Sequence, residues 1–354
     1  MEISTLISFL TSASLFASQI FISLMVKEWG GSNFLIGLTV SLYFAAFFLS
    51  SYIFGKLADR FGPVFFLRLG LLLSTFFFAL QMLAHGPLSL LAVRALAGLS
   101  AGMFPAALTV YAYADRGKIG KFKAYGALGW ALGAMLAGLL SSNNLIFAVS
   151  AVIFGLAFLF SLRLPDLPGV KRPSRDPFSW VLFRRNWRVL LPYFLRSVSA
   201  QNLWVIFPLY LMHLGGDRFW IGIAYLVNTV SQFVMMQHVE KYKSLDMFRQ
   251  GLLYTVITFI LYSILPNFWL VLPLQVIIAY SFSAFEVGAN QALLDLNAEK
   301  ASIIGILTAL INLAAVIGPL LSGVFLHFWG FPGVMAFSIA VSFLALLSAR
   351  KVIK

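Results

Sequence analysis

Arg94, Arg196 and Glu286 are the only acidic or basic side chains set well inside long apolar runs of this sequence. An ionised group in hydrocarbon is expensive, so such residues face a wet cavity or one another and mark solute or ion pathways. A lone carboxylate such as Glu286 can take up and release a proton, and a guanidinium can pair with it or hold an anion. Arg196 and Glu286 both lie about 10–12 Å inside their segments, counted at about 1.5 Å per residue. An ion pair between them in at least one state of a working cycle is therefore expected. Such a pair either carries a coupling proton or braces two helices.

The elements that must position these groups follow from composition. With 61% apolar and 10% charged residues over 354 positions, the chain cannot be wrapped into a ball with a polar skin. A hydrocarbon core of about 30 Å needs roughly 20 apolar helical residues. Runs bounded by Gly, Pro or charge place segments at 3–26, 34–54, 64–84, 88–112, 123–140, 145–162, 189–213, 219–237, 247–265, 268–294, 301–326 and 332–349. The expectation is an all-α membrane protein with twelve transmembrane helices in two pseudo-symmetric six-helix bundles. The divisions are 1–163 for the first bundle, 164–188 for a basic cytosolic linker lying against anionic headgroups, and 189–354 for the second bundle.

Orientation comes from the bases. With both termini cytosolic, the cytosolic loops hold 21 of the 25 Lys and Arg, and the outside holds only Lys27 and Arg218. This asymmetry explains the formal charge of +13 without nucleic acid. The opening Met1-Glu2-Ile3 lacks a basic stretch and a small-residue cleavage site, so the first segment reads as a retained helix in the plasma membrane. No Cys is present, which excludes disulfides and thiolate metal sites, and no cofactor or metal motif stands out.

Segments 1, 4, 7 and 10 carry the polar faces. Arg196, Ser199, Asn202, Tyr210 and His213 share a sector of about 120° on segment 7. Gln275, Ser283, Glu286 and Asn290 share about 80° on segment 10, and Ser4, Ser8, Thr11, Ser14 and Ser18 about 120° on segment 1. Arg94, Gly98, Ala101, Pro105 and Thr109 line segment 4. A cavity lined by Arg94, Arg196, Asn202, Tyr210, Gln275, Glu286 and Asn290 is one reading; close helix packing is the competing one for Gly98, Gly102 and the serine row. Apart from Arg68, Gln81, Arg249 and Gln250 toward their ends, segments 3, 6, 9 and 12 have no amide or charge and read as lipid-facing supports. Two arginines against one glutamate disfavour a permanently cationic solute and suit a neutral or anionic one.

The halves also resemble each other. Phe34-Leu35-Ile36-Gly37 matches Phe219-Trp220-Ile221-Gly222, Gly70 falls on Gly251, Leu91 on Leu272 and Gly126 on Gly305. Parallel repeats of this kind bind solute between them near the bilayer centre. Gly55-Lys56-Leu57-Ala58-Asp59-Arg60-Phe61-Gly62, read as a charged turn with Gly55 and Gly62 supplying positive φ and close approach, is similar to the loop 2–3 signature of the major facilitator superfamily. Arg94-Ala95-Leu96-Ala97-Gly98 resembles that family's fourth-helix pattern. The resemblance implies alternating access and a cytosolic latch formed by Gly55, Asp59, Arg60 and Gly62. The usual basic pair after the last glycine is Pro63-Val64, with Arg68 further on.

Segment 5, with Gly126, Gly129, Gly133 and Gly138, partly resembles the family's drug/proton exporters but lacks their Gly-Pro pair, which occurs as Gly318-Pro319 in segment 11. The function implied is a secondary transporter of a small organic solute, exporter-like and proton-coupled; a proton-coupled or facilitative importer is the alternative. A receptor, scaffold or membrane enzyme is remote. Gly98-Leu99-Ser100-Ala101-Gly102 matches a hydrolase pattern, but it falls mid-helix without the strand–turn–helix elbow such chemistry needs. No ATP-binding motif occurs, so an ion gradient must drive uphill movement.

Overall fold

The computed structural model describes residues 2–116, 119–140, 142–165, 180–239, 241–297 and 300–349. They fold into twelve membrane helices, with no strand among the described residues. In the first half these are α1 (Ile3–Ile20, continued by Ile22–Glu28), α2 (Asn33–Phe61), α3 (Pro63–Leu80), α4 (Pro87–Met103, continued by Pro105–Arg116), α5 (Ile119–Leu139) and α6 (Asn143–Ser161). The second half holds α7 (Trp180–Trp204, continued by Phe207–His213), α8 (Arg218–Val239), α9 (Ser244–Ser263), α10 (Val271–Leu296), α11 (300–329) and α12 (331–349). Gly330, with φ of 64°, makes the turn between the last two.

Several helices outrun the apolar stretches that announce them. The segment 55–62, expected as an eight-residue turn, is helix through Phe61; Gly62 alone turns, with φ of 98°. Gly55 is helical, and neither glycine is closely approached. Likewise α7 starts at Trp180, so the last residues of the expected 164–188 linker are helical, while 166–179 lie outside the described residues. Apolarity marks the bilayer-crossing part of a helix, whereas backbone hydrogen bonding continues past the membrane surface.

Two compact units emerge: Met1–Ser174 with Arg218–Leu226, and Arg175–Asp217 with Val227–Lys354. In the first, α1 packs on α5 and α6, α2 on α4, and α3 on α4 and α6. Small residues allow it. A Cβ on Gly98 or Gly102 would strike the Tyr43 or Phe47 carbonyl oxygen of α2, and one on Gly129 or Gly133 would strike the Phe9 or Ala13 carbonyl of α1. The first turns of α8 are tied to this unit by Arg218, which donates to Glu28 at 2.8 Å and to Asn143 at 3.0 Å. Arg68 donates to the Ser161 and Leu164 carbonyls at 3.3 and 2.8 Å, closing the free carbonyl end of α6. In the second unit α7 packs on the α11 and α12 stretch, and α9 on α10.

The repeat is visible in the backbone. Helix α1 breaks at Phe21 (φ −102°, ψ 11°), and α7 breaks 185 residues later at Ile206 (φ −100°, ψ −2°). Both helices end in a Schellman closure on a Gly-Gly pair: Gly31 N–H donates to Val26 and Gly216 N–H to Leu211, each at 2.9 Å. Gly30 and Gly215 supply the positive φ that closure requires, 75° and 94°.

Candidate functional site

In the second unit a polar cluster is built on a close helix crossing. A Cβ on Gly251 of α9 would strike the backbone of Phe285, and one on Gly288 of α10 would strike Phe248. The two helices therefore meet backbone to backbone. That approach brings Thr255 and Ser281 to the same Gly251 carbonyl, each donating at 2.8 Å, with their hydroxyls 2.7 Å apart. Arg196 of α7 is buried against this pair, its Nε donating to Thr255 Oγ1 at 3.1 Å. The guanidinium carbon lies 4.5 Å from the Phe285 ring centre and 5.5 Å from that of Phe282, so aromatic faces take the place of a counter-ion.

Glu286 belongs to the same neighbourhood but is not within ion-pair distance of Arg196 in this structure. Its carboxylate accepts from the Tyr193 hydroxyl at 2.8 Å and from Asn290 Nδ2 at 3.1 Å. The reason is angular. Neighbouring residues on a helix point about 100° apart, so Phe285 turns toward Arg196 while Glu286 turns away. Tyr193 sits three residues before Arg196 and stacks on Phe285 with ring centres 4.7 Å apart, which aims its hydroxyl at the carboxylate. Equal depth was legible in the sequence; the azimuth was not.

The first unit carries a different cluster. Arg94 of α4 is fully buried, with Nη1 donating to Gln81 Oε1 at 3.2 Å and Nη2 to Gln19 Oε1 at 2.5 Å. Its guanidinium carbon stands 4.1 Å from the centre of the Tyr43 ring. Four helices thus converge on one charge, yet Arg94 Nε and Gln81 Nε2 have no hydrogen-bond partner. Among the described residues no carboxylate lies within ion-pair distance of it.

The other expected cavity residues are placed within the second unit. Asn202 donates to the Val334 carbonyl and to Ser338 Oγ at 3.2 and 2.8 Å, and its Oδ1 is unpartnered. Ser199 meets Ser342 at 2.6 Å, so this part of the α7 face is turned to α12. Tyr210 donates to the Tyr262 carbonyl. Gln275 donates to the Tyr262 hydroxyl at 3.1 Å and keeps an unpartnered Oε1. In the first unit the serine row of α1 serves packing: Ser14 donates to the Ser150 carbonyl of α6 at 2.8 Å, and Ser150 returns the bond at 3.3 Å. Ser100 donates to the Ala97 carbonyl inside α4, with no elbow around it. For the latch, the side chains of Asp59 and Arg60 lie outside the described residues.

Sequence reasoning missed Tyr193, Thr255 and Ser281 around Arg196, and gave Gln19 no place beside Arg94. Gln81 was visible as the one amide of segment 3. Hydroxyls on α9 read as lipid-side residues because their turn toward α7 depends on the Gly251 crossing, which periodicity does not reveal.

A model described as the Major Facilitator Superfamily matches residues 4–301. The multidrug resistance protein MdtG of Yersinia enterocolitica is 28% identical over 229 residues, a region covering 59% of this chain and 55% of that protein. This match thus spans about half the length of that relative. Among solved structures, a point-mutant form of the nucleoside transporter NupG superposes with a TM-score of 0.84 at 13% identity over 100% of both chains. A bacterial homologue of the human lysosomal transporter Spinster gives 0.79 at 16% identity, over 98% of this chain and 94% of that one. The human organic anion transporter MFSD10 gives 0.74 at 18% identity over 98% of both.

Proposed function

We propose that this chain, which belongs to the major facilitator superfamily, exports a small organic solute across the plasma membrane in exchange for protons. It is a multi-pass membrane transporter of a small solute; export, proton coupling and the cytosolic placement of both termini are the finer reading. The observation that carries the coupling is Glu286 held between Tyr193 and Asn290. Protonating Glu286 removes its negative charge and weakens the charge-assisted bond it accepts from the Tyr193 hydroxyl, which loosens the link between α7 and α10 and lets the charge state of one carboxylate bias the conformational cycle. Arg196 stands in the same neighbourhood, held by Thr255 and Phe285. The direction is supported by the relationship to MdtG.

The test uses proteoliposomes loaded with a pH-sensitive dye. Organic acids, nucleosides and sugars are added singly, and proton movement is recorded beside solute counterflow. Proton movement that accompanies solute and disappears in Glu286→Gln, while counterflow persists, supports exchange. Solute movement indifferent to an imposed pH gradient, with Glu286→Gln fully active, eliminates it. Cells producing the protein should accumulate less of the solute; greater accumulation would make it an importer.

A further inference from the structure

Arg94 and Gln275 occupy the same place in the two repeats, related by the 181-residue offset that also relates Gly70 to Gly251. Their partners correspond too: Gln81, which accepts from Arg94, falls on Tyr262, which accepts from Gln275. The second copy shows that this fold closes the position with a neutral amide. A guanidinium is therefore not demanded by the architecture, and burying one without a carboxylate is costly. Both of its η nitrogens rest on neutral amide oxygens, while the unpartnered atoms here, Arg94 Nε and Gln81 Nε2, are donors. In the Gln275 copy the unpartnered atom is an acceptor.

We propose that the Arg94 position is the site where the first unit binds the carboxylate, or an equivalent anionic group, of the transported solute. The anion takes the Nε and Nη2 edge of the guanidinium in a two-pronged pair, displacing Gln19 Oε1 from Nη2. Gln81 Nε2 supplies a third donor, and the Tyr43 ring holds the guanidinium in place from its face. Gln19 can yield because it lies two residues before the α1 break at Phe21, where the continuous helical ladder ends. The proposal rests on the transporter reading and narrows its solute from neutral or anionic to anionic.

The experiment pairs each acid with its uncharged amide: benzoate with benzamide, nicotinate with nicotinamide, hexanoate with hexanamide. Binding is read by thermal shift on the purified protein, and counterflow in proteoliposomes. In the wild type at least one acid should bind about tenfold or more tighter than its amide, the scale of one charge-assisted pair. Arg94→Gln, which copies the residue of the second repeat, should remove that preference and keep the ligand-free melting temperature within about 2 °C. Arg94→Lys should fall between, keeping the charge but losing the fork. Parity between acid and amide for every pair, an acid preference that survives in Arg94→Gln, or a marked loss of ligand-free stability in that variant would each overturn the proposal, the last by making Arg94 a strut. Equal counterflow of acids and amides sinks the anion site alone, whereas failure of every solute in the wider panel sinks the transporter reading as well.

Discussion

In the first repeat the buried charge stands at Arg94 and α4 is broken just before Pro105; in the second, the matching residues are the neutral Gln275 and, in an unbroken α10, Glu286. The backbone devices shared by both copies, the breaks at Phe21 and Ile206 and the Gly-Gly closures, are what two bundles of one architecture need. Charge is not duplicated. The first unit buries a cation with no carboxylate within ion-pair distance among the described residues, while the second places its cation on aromatic rings and hydroxyls and its carboxylate on a tyrosine and an asparagine. Whatever differs between copies of one scaffold is free of the scaffold's demands, and the proposed coupling and anion-binding roles are placed at such positions.

The comparison can be broken most forcefully at the paired glycines. Gly251→Ala drives a methyl into the Phe285 backbone and should destabilise by about 3 kcal/mol or more, measured by denaturant unfolding in detergent. Gly70→Ala, its counterpart, meets Met103 Cβ at 2.9 Å and the Phe104 backbone nitrogen at 3.2 Å, a looser approach than the Phe285 backbone makes at Gly251, and should cost about half as much. Equal losses would mean that the crossings are alike and that the asymmetry lies elsewhere. Next in size, a double-mutant cycle of Tyr193→Phe with Glu286→Gln should give a coupling of about 1.5–3 kcal/mol, the range for a hydrogen bond to a charged group. The cycle of Arg196→Gln with Glu286→Gln should give clearly less; the reverse order would restore a direct ion pair. Arg68→Ala should lower stability by only about 0.3–1 kcal/mol, since one cation at a helix carboxyl end is worth that much.

Much of this was legible in the residues. Apolar runs located all twelve helices, because bilayer thickness imposes a length that composition must meet. The repeat was readable from Phe34-Leu35-Ile36-Gly37 and its partner, and extends two glycines earlier, to Gly30-Gly31 and Gly215-Gly216. Helix ends at Phe61 and Trp180 were not, since polar residues beyond the membrane carry no apolar period. Arg94, Arg196 and Glu286 stood out as intramembrane charges, but the partners of each did not. Which hydroxyl reaches Arg196 depends on how near α9 comes to α10, a distance set by absent side chains rather than by present ones.

Near the ends of α7 and α10, Asn186 and Asn297 exchange amide hydrogen bonds in both directions, each 2.9 Å, in a buried setting. Neither side chain titrates, and neither bears a charge that salt could screen. The proposed exchange, in which protonation of Glu286 biases the cycle, requires that acidity act there without slackening the joint about eleven residues away, some 16 Å along the same helix. The amide clasp meets that requirement, because its two bonds join α7 to α10 at one end whatever the pH.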